Sequence, residues 1–436
     1  MRKILFLVAC ICLISSCSND NEKTDNGGGN VKTDKLSKTT IQNAKYIYGT
    51  SDKNARSLKA SSNNFWMVDN AGNVKTIEFI TESGTVKDMY IENVFEVNDK
   101  YIIMKGSFQM EFVDKSDLND GDDDEPLISY ARFILVNKET GALYNFPFEL
   151  NIHPAINNDH PQFYTDSNGS FYFSTHKMIH KARVSRNGNI EVENYIPENQ
   201  QPMSFIVNSN GVCVINPNRP DCKFKLSNGK MYSLKHFINE DIIYNANIFI
   251  GFNNNFYVAY PLNNKLQIIE LAENNGELSN KEIAKTDISI YSNIQFVQNH
   301  VRGNHVALNG NVLLEFWEDS PEHNISEQPL INIPNISQPH PCVSDNYLYI
   351  RDGYNTITSL AQINLNTNES RTLDFLKSGY EANNISVSKN SADLSFSGLR
   401  YSDGKNVIGI VDGNGVFSVN DETSSEIEIT TLLRLN

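Results

Sequence analysis

Six segments of the chain place small polar side chains just before a predicted strand, and they recur at similar intervals. They include NNDHPQF, IYNANIF and EANNISV. Their amide and imidazole groups donate and accept hydrogen bonds without the charge that an ionic ligand requires. We therefore predict that these side chains lie in one ring at the mouth of a central channel and bind a neutral polar ligand there, such as a glycan or a peptide. The predicted binding residues are Asp159, His160, Gln201, Asn245, Asn247, Gln295, Gln338, His340, Asn383 and Asn384.

The same residue types also have a purely structural use. Asn, Gln and His-Pro pairs often begin strands, where their side chains satisfy loop backbone groups without any ligand. The two interpretations differ in one respect, because ligand-binding residues must converge in space and strand-starting residues need not. The sequence leaves both open.

Two other clusters suggest metal chemistry but fit it poorly. The acidic stretch 114–126 resembles a calcium loop whose glycine comes one residue early, so we predict a solvated hairpin tip. His176 and His180 are predicted to share one strand and one face, about 13 Å apart, which is too far for joint ligation. No metal site and no cofactor is expected.

Cys213 and Cys222 flank the segment VINPNRPD, whose two prolines favour a tight reversal. In an oxidising compartment these two cysteines could close a disulfide across the hairpin. Two free, buried thiols are the alternative, and the sequence does not decide between them. No C-x-x-C motif is present.

The elements that must position these residues are strands. From Ile41 onward, short aromatic and β-branched runs alternate with Asn, Asp and Gly, without an amphipathic helix, so the body is predicted to be all-β. Eight turn signals recur along it, with one step of 69 residues and six of 41 to 47. They are Asn70-Ala71-Gly72, Glu139-Thr140-Gly141, Asn187-Gly188, Asn228-Gly229, Asn275-Gly276, Asp319-Ser320-Pro321, Asn366-Thr367-Asn368 and Gly413-Asn414-Gly415.

A repeat of about 45 residues suits a four-stranded blade that buries its faces against its neighbours in a ring. We predict a β-propeller of eight blades over residues 41–436, or seven if one unit is split between the two ends. The pattern resembles propeller lipoproteins and other repeat propellers without a strict consensus. It lacks the Gly-His and Trp-Asp pairs of WD repeats and the Gly-Gly of kelch repeats.

The N-terminus carries targeting information. Arg2 and Lys3 precede an apolar run, residues 4–14, which is too short to span a bilayer and is typical of a signal peptide. Ile14-Ser15-Ser16-Cys17 resembles the bacterial lipobox, which implies cleavage after residue 16 and a lipid on Cys17. We therefore predict a signal peptide over residues 1–16 and attachment to a membrane through Cys17.

Residues 17–40 are polar and contain three consecutive glycines, so they are predicted to form a flexible tether. The segment Ser18-Asn19-Asp20-Asn21-Glu22 resembles the acidic export signal of Bacteroides-type surface lipoproteins. That resemblance implies an outer-membrane protein displayed on the cell surface. A plain solvated tether, with the protein facing the periplasm, is the alternative.

The net charge and the absence of catalytic motifs narrow the range of possible functions. Removal of residues 1–16, which carry two positive charges, takes the formal net charge from −15 to −17, so we exclude nucleic acid as a partner. No G-x-S-x-G, H-E-x-x-H, Walker A or G-x-G-x-x-G motif occurs. A binding or scaffold protein, with a polar ligand or an envelope protein as partner, is favoured over a propeller enzyme. Catalytic carboxylates could still converge from distant blades.

Overall fold

The computed structural model describes most of the chain from Ala44 onward. The described residues are 44–52, 65–69, 71, 73–77, 80–81, 84–85, 90–98, 100–110, 128–145, 150–152, 163–166, 169–175, 178–185, 190–197, 204–215, 222–239, 243, 246–290, 294–300, 302–310, 312–320, 325–329, 339–344, 346–352, 357–387 and 393–435. Cys17, the acidic stretch 114–126 and five of the ten predicted binding residues lie outside them. Those five are Asp159, His160, Gln201, Asn245 and Gln338.

The described residues form 35 strands and a single 3-10 turn, Leu234–His236. The first half of the chain contains β1 (Ala44–Asp52), β2 (Phe65–Asp69), β3 (Val74–Ile77), β4 (Ile80–Thr81), β5 (Gly84–Thr85), β6 (Tyr90–Glu96), β7 (Tyr101–Met110), β8 (Ile128–Asn137), β9 (Leu143–Asn145), β10 (Leu150–Ile152), β11 (Phe163–Thr165), β12 (Phe171–Thr175), β13 (Met178–Val184), β14 (Ile190–Pro197), β15 (Ser204–Asn208), β16 (Gly211–Ile215), β17 (Lys223–Leu226) and β18 (Met231–Ser233).

The second half contains β19 (Asn247–Ile250), β20 (Phe256–Leu262), β21 (Lys265–Asn274), β22 (Glu277–Ser289), β23 (Val297–Asn299), β24 (Asn304–Asn309), β25 (Val312–Phe316), β26 (Ile325–Pro329), β27 (Pro339–Ser344), β28 (Tyr347–Asp352), β29 (Ser359–Asn364), β30 (Ser370–Asp374), β31 (Tyr380–Val387), β32 (Leu394–Arg400), β33 (Lys405–Val411), β34 (Phe417–Glu422) and β35 (Ile427–Arg434). In the described part of the chain, no helix is long and apolar enough to cross a membrane.

Apart from the two-stranded sheet β4-β5, the strands form eight antiparallel sheets arranged as the blades of a β-propeller, which confirms the predicted architecture. Blade 1 is β35-β1-β2-β3, blade 2 is β6-β7-β8 with β9 and β10, and blades 3 to 8 take four consecutive strands each from β11 to β34. Contacts between blades join their first strands, as in β11 with β15, β31 with β35 and β35 with β6. The first strand of each blade is therefore the innermost.

Blade 1 closes the ring with strands from both ends of the chain. β35 supplies its innermost strand, and the register runs from Tyr46 opposite Arg434 to Asp52 opposite Ile427. A Thr431 hydroxyl on β35 accepts a hydrogen bond from the backbone N–H of Val94 in blade 2, at 3.0 Å. The ring thus has eight blades, and one of them, blade 1, is built from strands at both ends of the chain.

All eight predicted turn signals lie between the third and fourth strands of successive blades. The third-to-fourth hairpins at Gly229, Gly276 and Gly415 turn through positive φ angles of 88°, 79° and 82°. Such angles are accessible to glycine without steric cost, which is why the glycines predicted these hairpins correctly. The single long step includes the small hairpin β4–β5 and the segment 111–127 between β7 and β8.

The alternation of strand direction gives the ring two ends. We call the end with the first-to-second and third-to-fourth strand hairpins the turn end. The other end holds the second-to-third strand turns and the connections between blades, and we call it the connection end. Between them, apolar side chains pack from blade to blade, as Phe249 of blade 5 does against Phe296 and Phe316 of blade 6.

One local prediction was wrong. His176 and His180 do not share a strand, because β12 ends at Thr175 and β13 begins at Met178, with Thr175 paired to Met178 across a hairpin. No Gly, Pro or Asn occurs between Phe171 and Val184, so the sequence predicted one continuous strand. His180 is buried and stacks on Phe173, and His176 lies outside the described residues.

Cys213 and Cys222 are both buried and are not joined by a disulfide. They lie in one apolar cluster with Phe224 and Leu234. Burial, with a smaller contribution from Cys222, raises the pKa of the Cys213 thiol well above its ordinary value. Of the two alternatives left open by the sequence, the structure shows two buried thiols.

Candidate functional site

The five predicted binding residues that the structure describes all lie on or beside innermost strands. Asn247 begins β19, His340 lies on β27, and Gln295 comes two residues before β23. Asn383 and Asn384 are neighbours within β31. The side chains whose contacts the structure describes differ in what they do.

Asn247 joins two blades. Its side-chain oxygen accepts a hydrogen bond from the backbone N–H of Phe296, at 3.0 Å, in the segment that leads into blade 6. Nearby, the Gln298 amide of blade 6 donates to the carbonyl of Ile250 in blade 5, at 2.9 Å. The Asn247 amide thus satisfies backbone groups, as the structural interpretation proposed.

Asn384 has a similar structural role at the closure of the ring. Its amide donates to the Thr430 carbonyl of β35 and to the Ser397 hydroxyl of β32, both at 3.1 Å. The hydroxyl of Ser386, also on β31, accepts from the backbone N–H of Arg434, at 2.9 Å. These bonds hold blade 8 against blade 1.

Asn383 and Gln295 are exposed instead. Asn383 is the extra residue of a β-bulge, since the pairing of β31 with β32 shifts between Ala382 and Asn384. A bulge leaves one residue unpaired and redirects its side chain. Within the described part of the chain, neither amide has a hydrogen-bond partner, so a ligand-binding role for them stays a prediction.

Three further residues of the connection end, Glu381, Tyr401 and Leu376, were not predicted from the sequence. Glu381 precedes Asn383 on β31, and the Tyr401 hydroxyl donates to Oε2 of Glu381 at 2.8 Å. Tyr401 lies in the turn between β32 and β33, and its backbone N–H donates to the Gly379 carbonyl at 3.0 Å. That bond brings the turn beside the connection from blade 7, which carries Leu376.

This group of side chains lies at the connection end and remains accessible to solvent. Tyr401 is 48% exposed and Leu376 is 45% exposed. The hydrogen bond to Glu381, followed by burial, raises the pKa of the Tyr401 hydroxyl, so the tyrosine stays protonated and keeps its donor role. The only sequence signal was an aromatic residue in a polar turn, RYSDGK, which is an unusual place for a large ring.

The charged residues around Tyr401 neutralise one another. Arg400 contacts Asp403 through Nε at 3.0 Å and Glu422 through Nη2 at 2.7 Å. Lys405 also pairs with Glu422, and the hydrogen bond from Arg400 is the main reason that the pKa of Asp403 falls to about 2. The surface next to Tyr401 therefore carries many charges but little net charge.

The turn end contains a different polar cluster, between blades 5 and 6. His305 on β24 is fully buried, and its Nε2 lies 2.5 Å from Oε1 of Glu318, whose side chain is 4% exposed. The Glu318 carboxylate also accepts the backbone N–H groups of Phe252, at 2.6 Å, and Asn253, at 3.1 Å, from the neighbouring blade. This carboxylate therefore joins two blades.

On the other side of blade 6, a second buried carboxylate joins blade 7. Glu315 pairs with Arg302, and the Arg302 guanidinium also donates to the Leu365 carbonyl at 2.8 Å. The Asn304 amide donates to Glu315 as well, at 3.2 Å. Both clusters at this end are used to hold blades together. Among the described residues, no three His, Cys, Asp or Glu side chains are grouped as a metal ion would require.

Comparison with known proteins gives the fold. No protein-family model and no curated protein sequence matches the chain. Among solved structures, the apo form of AztD from Citrobacter koseri shares 12% sequence identity, covers 89% of this chain and 97% of its own, and superposes with a TM-score of 0.51.

Two further structures have lower TM-scores. A putative 6-phosphogluconolactonase from Bacteroides uniformis covers 89% of this chain and 98% of its own, with 9% identity and a TM-score of 0.42. A catalytically inactive virginiamycin B lyase from Staphylococcus aureus covers 59% and 83%, with 14% identity and a TM-score of 0.37. The likeness to AztD, at 12% identity, shows the fold alone.

Proposed function

We propose that this chain is a lipid-anchored propeller of the outer cell surface that binds a neutral polar ligand at its connection end. One observation carries the proposal: at the connection end, Tyr401 and Asn383 are exposed, and the partly exposed Glu381 keeps one carboxylate oxygen without a partner among the described residues. The Glu318 carboxylate at the turn end is instead buried between two blades. Exposed side chains with unused hydrogen-bonding capacity are what a binding surface requires.

The position of β1 supports this orientation. β1 pairs with β35 so that Tyr46 lies opposite Arg434, which ends the innermost strand at the turn end. The segment that precedes Ala44, and with it the predicted lipid on Cys17, therefore joins the propeller at the turn end. A flexible segment of residues 17–40 would span about 30 Å on average, so the connection end would lie farther from the membrane.

Binding is favoured over catalysis by the state of the carboxylates near Tyr401. Asp403, Glu422 and Asp374 are each paired with Arg400, Lys405 or Lys377. Glycoside hydrolysis needs two carboxyl groups that flank the scissile bond, one of them protonated. Of these three carboxylates and Glu381, only Glu381 has no cationic partner among the described residues.

Lipid attachment has a direct test. A Cys17→Ala variant should accumulate as a precursor that takes up no radioactive palmitate, whereas the wild type should be labelled. Protease added to intact cells should degrade the wild-type protein. Equal palmitate labelling of the variant, or degradation only after lysis, would contradict the anchoring or the display.

The binding function has a separate test. Purified residues 41–436 should bind at least one member of a panel of neutral glycans and peptides, measured by microarray and calorimetry. Product analysis of the same mixtures distinguishes binding from turnover, because an enzyme would release shorter fragments. Failure to bind any member of the panel would overturn the proposal.

A further inference from the structure

We propose that Tyr401, Glu381, Asn383 and Leu376 form a subsite for one pyranose unit of a neutral glycan. This inference rests on the proposed binding function and specifies its ligand. A pyranose ring presents an apolar C–H face and a rim of hydroxyl groups, so its binding surface needs an accessible aromatic ring beside hydrogen-bonding groups that carry little net charge.

The aromatic ring is both accessible and fixed. Tyr401 is 48% exposed, yet its hydroxyl is held by Glu381 at 2.8 Å and its backbone by Gly379 at 3.0 Å. A ring that is already ordered loses little conformational entropy when a ligand stacks on it. Leu376 is 45% exposed and lies in the adjoining connection, where its carbonyl accepts the backbone N–H of Gly379, the residue that Tyr401 also contacts.

Hydrogen-bonding groups lie at the edge of this ring. One oxygen of Glu381 accepts the Tyr401 hydroxyl, and no residue in the described ranges bonds to the other. The amide of Asn383, two residues farther along β31, is exposed in the bulge. The carboxylate accepts from sugar hydroxyls, and the amide can both donate and accept.

The local charge favours a neutral ligand. Arg400 and Lys405 are paired with Asp403 and Glu422, and Lys377 is paired with Asp374 at 3.0 Å. An anionic glycan would meet no unpaired cation among these residues and would be repelled by Glu381. A cationic peptide would find one carboxylate without a cationic partner among these residues, Glu381.

The test is a comparison of variants in residues 41–436, with neutral oligosaccharides identified on a glycan array and their affinity measured by calorimetry. Tyr401→Ala should raise the dissociation constant about tenfold, because a stacked ring is lost. Tyr401→Phe keeps the ring and should retain most of the affinity. Glu381→Gln should weaken binding by about threefold, because an amide replaces the charged acceptor.

Tyr232→Ala is the matched control. The Tyr232 hydroxyl is also held by a glutamate, Glu277, but it lies on β18, the outermost strand of blade 4. Its removal should leave glycan affinity unchanged. Thermal unfolding of every variant separates lost binding from lost folding, and Tyr401 is exposed enough for its replacement to preserve the fold.

The outcomes separate this inference from the proposed function. A wild-type protein that binds no glycan and no peptide would overturn both. Wild-type binding to a neutral glycan that Tyr401→Ala does not weaken would overturn the subsite alone. Binding of peptides without binding of glycans would also overturn the subsite, while the proposed binding function would stand.

Discussion

The two ends of the propeller use similar side chains for different purposes. At the turn end, the Glu318 carboxylate is buried against His305 and two backbone N–H groups of blade 5. At the connection end, Glu381 holds one tyrosine hydroxyl at a surface that is open to solvent. The types of residue are alike, and burial decides their roles.

This difference follows from the free-energy cost of burying a carboxylate. A carboxylate removed from water is stable only when nearly all of its hydrogen-bonding capacity is used within the protein. Glu318 meets that condition and Glu381 does not need to. Unused capacity for a ligand is therefore expected at the connection end, and rigidity between blades at the turn end.

The largest expected effect is at Glu318. Replacement by alanine leaves His305 and the N–H groups of Phe252 and Asn253 without their acceptor, so the free energy of unfolding should fall by about 3 kcal/mol. Urea denaturation followed by tryptophan fluorescence measures this change. The same replacement at Glu381 is the control and should cost less than about 0.5 kcal/mol. Equal losses in the free energy of unfolding for the two variants would contradict the proposed difference between the two ends.

Asn383 and Asn384 sharpen the comparison within a single strand. Asn384→Ala removes hydrogen bonds to Thr430 and Ser397, so it should lower the free energy of unfolding by about 1 to 2 kcal/mol and leave ligand affinity unchanged. Asn383→Ala should do the reverse, with reduced affinity and unaltered stability. Denaturation and calorimetry on both variants measure these effects. Lost affinity in Asn384→Ala with lost stability in Asn383→Ala would contradict the roles given to the two amides.

The acid sensitivity of Glu318 is a smaller effect. Burial raises its pKa, but the hydrogen bonds from His305, Phe252 and Asn253 lower it by more, so the net pKa lies below 4.5. A carboxyl group with a lower pKa in the folded state stabilises the fold above its unfolded pKa, and that stability is lost as the pH falls through the folded value.

We therefore expect the free energy of unfolding of the wild type to decrease more steeply than that of Glu318→Gln between about pH 5 and pH 3. Denaturation series at several pH values give both slopes. Glu381→Gln, a change at the partly exposed carboxylate of the connection end, controls for the general effect of removing one acidic group. Parallel slopes for the wild type and Glu318→Gln would show that this carboxylate has the same pKa in both states.

The blades could be predicted from sequence because their turns are local. Hairpins at Gly229, Gly276 and Gly415 need positive φ angles, and that requirement favours glycine, which marks the turns in the sequence. The roles of Asn383 and Asn384 could not be predicted, because a one-residue shift in pairing decides which amide faces solvent. The contact between His305 and Glu318 forms only when β24 pairs with β25, so it could not be predicted from local sequence. The histidine within the apolar strand NHVALN was a sequence signal for a buried polar contact.

The most direct test of the account is the accessibility of the two ends on living cells. Tyr401→Cys at the connection end and Val416→Cys at the turn end replace exposed residues, whereas Cys213 and Cys222 are buried. A bulky maleimide that does not cross membranes should label Tyr401→Cys on intact cells faster than Val416→Cys, with the wild type as baseline and equal rates after detergent release. Labelling of neither variant before lysis, or faster labelling of Val416→Cys, would contradict the display of the connection end.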